Sequence, residues 1–298
     1  MRWLFLTFML MGLSVSGQEP PSWFSESLLH LPDEVAEAAT AGKRVMLYFG
    51  QDGCPYCKQL MEVNFRQRPT VERMQKRFVA LALNIWGDRD VTWTDGSATT
   101  EKQLAARLKV QFTPTLIFLD EKGGIALRVN GYYGPERFNA ALDYASGRIS
   151  KVEFQNFHAK ASREKLNEQP FFTTTRSGKP LAMLFETTHC AECDALHREV
   201  FTRAEVLGEL GKFDVMRFPV SGKEARSLKV DYVPTLVLLD ARGREALRLE
   251  AYFRPFHVAG ALDYVASGAY RTEPSFQRFL QLKADRLRSR GVQVDLWK

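Results

Sequence analysis

Apolar positions along the chain fall into short continuous runs, separated by polar turns and by segments with helical spacing. The first run, VMLYF at 45–49, has the length of a strand and the character of one buried on both faces. It ends in Gly50-Gln51-Asp52-Gly53, which reads as a turn. A helix is predicted to start at Cys54 or Pro55, because proline suits a first helical turn, where its missing N–H would have no partner anyway. Beyond it the pattern predicts a strand over 78–85, a helix over 101–108 and a strand over 115–119. A turn at 121–124 and a returning strand over 125–129 complete a hairpin, and a helix over 135–144 closes the series. A further helix, over 33–41, precedes it. The order βαβα, then hairpin and helix, predicts an α/β fold with one central mixed sheet, parallel at its start and antiparallel at its end.

The same pattern then recurs. LKVQFTPTLIFLD at 108–120 is matched by LKVDYVPTLVLLD at 228–240, with most positions identical. The likeness continues through the hairpin and closing helix to residue 268. Upstream, VMLYFGQDGCPYCKQL at 45–60 is matched by AMLFETTHCAECDAL at 182–196. The chain is therefore a duplicated unit, the second copy running over 181–266. The first copy is longer between its cysteines and its proline, and the extra residues fall in the stretch 84–104. That stretch holds Trp86 and Trp93 among acidic residues, and reads either as a partner-docking loop or as a loop packed by its own aromatics. Tail helices are expected over 152–166 and 275–289, their phenylalanines turned inward. The expected organisation is a leader over 1–17, a first domain over 18–150 with its insertion at 84–104, and a helical linker over 151–178. A second domain over 179–270 and a C-terminal helix and tail over 271–298 complete it.

Composition adds the compartment. The 298 residues suffice for two ordinary domains, and 45% hydrophobic with 12% aromatic content suits packed cores. The N-terminus, MRWLFLTFMLMGLSVSGQ, has one positive residue, an apolar stretch too short to span a bilayer, and small residues near position 17. It reads as an export signal. The formal charge of +6 is scattered, with no basic run, and points to a solvated surface and no nucleic-acid partner. Export changes the meaning of the four cysteines. They form two pairs, Cys54/Cys57 and Cys190/Cys193, and a bridge across two residues closes too small a loop to stabilise much. The pairs look like chemistry, not staples.

A CxxC that follows a buried strand and opens a helix, an X-Pro-Thr before a hairpin (Thr113-Pro114-Thr115 and Val233-Pro234-Thr235), and Gly131-Tyr132 after it together resemble the thioredoxin superfamily. The resemblance covers both copies. The first copy, through AATAGKRVMLYFGQDGCPYC, looks most like exported thioredoxin-like proteins associated with sulfur oxidation. It implies two tandem thioredoxin-like domains, cis peptides before Pro114 and Pro234, and loops there that meet an extended substrate strand. Substrate contacts are thus expected at Thr113, Pro114, Val233 and Pro234. Departures stand beside it. The buried acid that thioredoxins keep six positions before the first cysteine is replaced by Tyr48 and Leu184. The tryptophan before that cysteine is replaced by Gly53 and His189, and Ala251 stands where the first copy has Gly131.

A cysteine at a helix N-terminus meets unpaired N–H groups and the positive end of the dipole, which favours thiolate. Cys54 and Cys190 are therefore the expected nucleophiles, and Cys57 and Cys193, one turn deeper, the resolving thiols. Glu192 places an anion beside the second pair and His189 opposes it, so the two potentials are expected to differ. The expected activity is thiol:disulfide exchange with protein thiols, in the reducing direction, fed by a membrane or periplasmic redox partner. No cofactor beyond the disulfides themselves is expected. An isomerase or oxidase is the nearest alternative. The other is a copper or zinc carrier using Cys190 and Cys193 with His189 and His197, although His197 reads more readily as a surface helix residue.

Overall fold

The computed structural model describes residues 20–154, 176–187 and 190–294. The expected leader, most of the first tail helix and His189 lie outside them.

Each copy folds around a four-stranded mixed sheet. In the first, β1 (Arg44–Gly50) lies parallel to β2 (Phe78–Asn84) and antiparallel to β5 (Thr115–Leu119), which pairs with β6 (Ile125–Asn130) at the edge. The order is β2-β1-β5-β6. Central β1 is buried almost throughout, which is why its sequence is a continuous apolar run instead of an alternation. The second copy repeats the arrangement as β8-β7-β9-β10, from β7 (Leu181–Glu186), β8 (Asp214–Pro219), β9 (Thr235–Leu239) and β10 (Glu245–Glu250). The strands, the hairpins and the mixed parallel and antiparallel pairing are those the sequence predicts.

The helices follow local signals. Proline stands in the first turn of α1 (Leu31–Thr40), α2 (Pro55–Gln59), α3 (Arg68–Arg77) and α5 (Pro135–Ala145), and Thr100 with Gln103 closes a capping box on α4 (Glu101–Arg107). In the second copy α6 (Ala191–Ala195), α7 (Ala204–Leu210), α8 (Lys223–Ser227) and α9 (Pro255–Ala266) stand in the corresponding places, and α10 (Phe276–Arg288) follows. In both copies the CxxC helix runs on into one π-helical turn, Leu60–Asn64 and Leu196–Val200.

The insertion is not a plain loop. It forms a ribbon, β3 (Asp90–Thr92) against β4 (Ala98–Thr100), which buries Val91 and Trp93 in the core with α1 and the outer face of the first sheet. Trp86 stays 40% exposed, and its Nε1 donates to Gln51 Oε1 at 2.7 Å. Trp93 is thus packed inside, as the self-packed reading expected, while Trp86 stays at the surface.

The two sheets share one core. Their inner faces and the helices on them form a single cluster that includes Phe112, Phe253 and Phe276, while each outer face has a smaller cluster of its own. The copies meet as a pseudo-twofold pair. Tyr133 stacks on Tyr232 with centroids 5.0 Å apart, and their counterparts Phe253 and Phe112 also meet at 5.0 Å. Asn130 Nδ2 donates to Glu250 Oε2 at 2.8 Å, and these two occupy the same place in their respective copies. Residue i of one copy meets j of the other and the reverse also holds, as in an isologous dimer.

Candidate active site

Both cysteine pairs sit where the end of the central strand turns into a helix. The Cys54–Cys57 and Cys190–Cys193 disulfides have Cα separations of 5.2 and 5.1 Å. Cys54 and Cys190 are the N-cap residues, in extended conformation, and each Sγ accepts the backbone N–H of the second cysteine, at 3.1 and 3.0 Å. Gly53 makes the preceding turn in the left-handed region, at φ +68°, where a side chain would be strained. Cys54 is only 2% exposed and Cys57 is buried, whereas Cys190 is partly exposed above buried Cys193.

The proline loops have the expected form. The Thr113–Pro114 and Val233–Pro234 peptides are cis. Thr115 and Thr235 each donate a hydroxyl to the carbonyl three residues back, on Phe112 and Tyr232. The Pro114 carbonyl accepts from Gly131 and the Pro234 carbonyl from Ala251, both at positive φ. Ala251 thus keeps, at some backbone strain, a conformation the first copy gives to glycine. Thr113 borders the same cavity as Cys54, while Thr113, Pro114 and Val233 are themselves buried.

Tyr56 and Glu192, the second residue between the cysteines of each pair, lie beside the other copy. The Tyr56 ring lies 5.5 Å from that of His257 and 5.9 Å from that of Phe253, and its hydroxyl accepts the Arg254 backbone N–H at 2.8 Å. Burial lowers the His257 pKa to about 4, with Arg254 adding to the effect, so the ring is neutral at physiological pH. In the second copy, Glu192 accepts a short hydrogen bond from the Tyr232 hydroxyl. Burial raises its carboxyl pKa, against the pull of Arg137 from the first domain. Arg137 is buried over the Tyr133 and Tyr232 rings and occupies in its helix the place His257 has in α9. The carboxylate expected beside the second pair is present, but the fold resists its ionisation.

Three of these groups were not singled out in the sequence. His257 and Arg137 are polar residues on apolar helix faces at matching repeat positions, a signal that self-comparison carries. Glu186 is the third, an acid closing the apolar run LAMLFE. It is fully buried and pairs with His197 Nε2 at 2.7 Å and Arg217 Nε at 2.5 Å. His197 is therefore a largely buried hydrogen-bond partner of Glu186, not the surface residue its helix position suggested. Among the described residues no group of three or more His, Cys, Asp or Glu is arranged to hold a metal.

The thioredoxin-like domain family model matches this chain twice, over residues 31–146 and 171–266, and the chain belongs to that family. With a CxxC pair in each copy it is a thiol:disulfide oxidoreductase. Similar solved structures each align with less than half of the chain. A thioredoxin-fold protein from Helicobacter pylori is 24% identical, covering 42% of this chain and 76% of its own, at a TM-score of 0.35. A thioredoxin from Thermus thermophilus is 26% identical over 43% and 93%, at 0.33. The periplasmic thioredoxin SoxS from Paracoccus pantotrophus is 19% identical over 36% and 100%, at 0.26. No curated protein matches significantly.

Proposed function

We propose that the chain is an exported, periplasmic oxidoreductase that reduces disulfides, those of proteins among them, through its two CxxC pairs. The observation that carries this reading is the N-cap position of Cys54 and Cys190, each sulfur accepting the N–H of its own partner cysteine. In the reduced state that N–H and the helix terminus favour thiolate on the first cysteine. The thiolate attacks a substrate disulfide, forms a mixed disulfide and expels one substrate thiolate. Cys57 or Cys193 then attacks, releases the second substrate thiol and closes the enzyme disulfide, so two electrons pass to the substrate. A dithiol partner in the same compartment returns them, and no other cofactor is required. Thr113 borders the cavity beside Cys54, and we assign substrate contact to the Thr113-Pro114 loop and, by its matching place in the repeat, to Val233-Pro234.

Burial supports the reducing direction. Cys54 and Cys57 are both buried, and the low polarity offsets part of the helix-terminus stabilisation of the thiolate, which shifts the balance toward the disulfide form of the enzyme. Export rests on the N-terminal pattern; among the described residues no helix is long and apolar enough to cross a membrane. The test uses Cys57→Ser and Cys193→Ser variants, each of which should trap a mixed disulfide through the remaining cysteine, resolved by mass spectrometry. Midpoint potentials more negative than roughly −230 mV are expected at both pairs. Potentials nearer those of isomerases and oxidants would reverse the direction, and absence of any trapped adduct would remove the activity.

A further inference from the structure

The walls around Cys54 come from both halves of the molecule. A cavity of about 650 Å³ opens beside it, and its far side is built by Phe253, Phe256 and His257 of the second domain and by Gln277, Leu280 and Gln281 of α10. The near side holds Gln51, Trp86 and Thr113. An extended protein strand would have to lie along the Thr113–Pro114 loop, and this chain already occupies that edge. Gln111 Nε2 donates to the Pro274 carbonyl at 3.1 Å. Gln111 Oε1 accepts the Phe276 N–H, and the Gln111 carbonyl accepts from Gln277 Nε2, both at 2.9 Å. Phe112 is covered by Phe253 and Phe276, with ring centroids at 5.0 and 5.4 Å. Gln277 Oε1 also accepts from Gln51, which holds Trp86, so a chain of side-chain amides ties the two walls of the rim together.

We infer that the first pair, Cys54/Cys57, exchanges with low-molecular-weight disulfides of amino-acid or short-peptide size, and not with folded proteins. The inference rests on the thiol:disulfide reading above and narrows it for one of the two sites. The cavity has the volume of a small-molecule pocket. Its lining mixes aromatic faces with the Gln281 amide, which the rim does not use, and with Arg288, which together match the amides and carboxylates of a peptide-sized ligand. The step balances as before. The Cys54 thiolate bonds to one sulfur of R–S–S–R and expels RS⁻. Cys57 then closes the enzyme disulfide and releases the second RSH, so the dithiol is oxidised and the small disulfide is reduced. Protein disulfides are left to the second pair, where Cys190 is partly exposed.

The experiment uses the full two-domain chain with Cys190→Ser and Cys193→Ser, leaving only the first pair, and the complementary chain with Cys54→Ser and Cys57→Ser. Each is reduced and presented with cystine, glutathione disulfide and insulin. The first-pair chain is expected to reduce a small disulfide roughly tenfold or more faster than insulin. Gln281→Trp, a change at an exposed position on the cavity wall, should raise KM for the small disulfides with an unchanged melting temperature. Gln111→Ala with Gln277→Ala, which unties the rim, should raise the insulin rate at the first pair. Three results would overturn the inference: insulin reduced as fast as the small disulfides in the intact rim, KM indifferent to Gln281→Trp, or reaction with neither until the rim is untied. If neither chain reduces any disulfide even with the rim untied, the oxidoreductase reading itself fails.

Discussion

At the scale of single residues, the most consequential group is His257, a neutral imidazole buried between the domains. It faces the rings of Tyr56 and Phe256, with Arg254 as the charged neighbour that, after burial, opposes its protonation. Its pKa of about 4 in the folded chain lies below the ordinary 6.5, so between those values the unfolded chain binds more protons. Stability from this group is therefore full above about pH 6.5 and is lost as pH falls toward 4, by up to about 3 kcal/mol. His257→Gln should flatten that loss. Urea unfolding of the two proteins at pH 7 and pH 4.5 checks it, and parallel losses in both would refute it. The placement of the cysteines, prolines and threonines was legible because it follows from their neighbours in sequence. That of His257, Arg137 and Glu186 was not, because each depends on a partner brought up by the fold.

Among elements, α10 changed most between sequence and structure. Its existence and inward phenylalanines follow from periodicity, and the Ser275 cap fixes its start. What it covers does not, because helical spacing says which face is buried and not against what. It docks on α9, where Lys283 pairs with Asp263 and Leu280 lies over Gly260 too closely to leave room for a Cβ. From there it reaches across to the first site. Gly260→Val should force α10 off this seat, at a cost of about 1–3 kcal/mol in urea unfolding. It should also speed alkylation of Cys54 in the reduced protein. A stable variant with Cys54 still protected would show that α10 is not held through Gly260. The insertion was legible only in part. Its polar composition hid a ribbon whose inward residues, Val91 and Trp93, alternate with less buried ones.

For the whole molecule, duplication was plain in the sequence, but the packing of the copies was not. Tandem domains move independently by default unless their interface is large and apolar. Here the inner faces of both sheets share one continuous core, and the pseudo-twofold contacts at Tyr133–Tyr232 and Phe112–Phe253 lie within it. Each CxxC pair also has its wall completed by the other copy, Tyr56 by His257 and Glu192 by the side of Arg137. The two domains should therefore unfold as one cooperative unit. Trp23, Trp86 and Trp93 lie in the first domain, and with Trp3 and Trp297 changed to Phe the emission reports on that domain alone. Amide exchange in β7 and β9 reports on the second. Both probes should give the same unfolding free energy, and Phe112→Ala, a change in the first domain, should lower both by about 3–5 kcal/mol. If the second-domain amides kept their protection while tryptophan emission shifted, the shared core would not couple the copies. Each redox site would then have to work without its neighbour's wall.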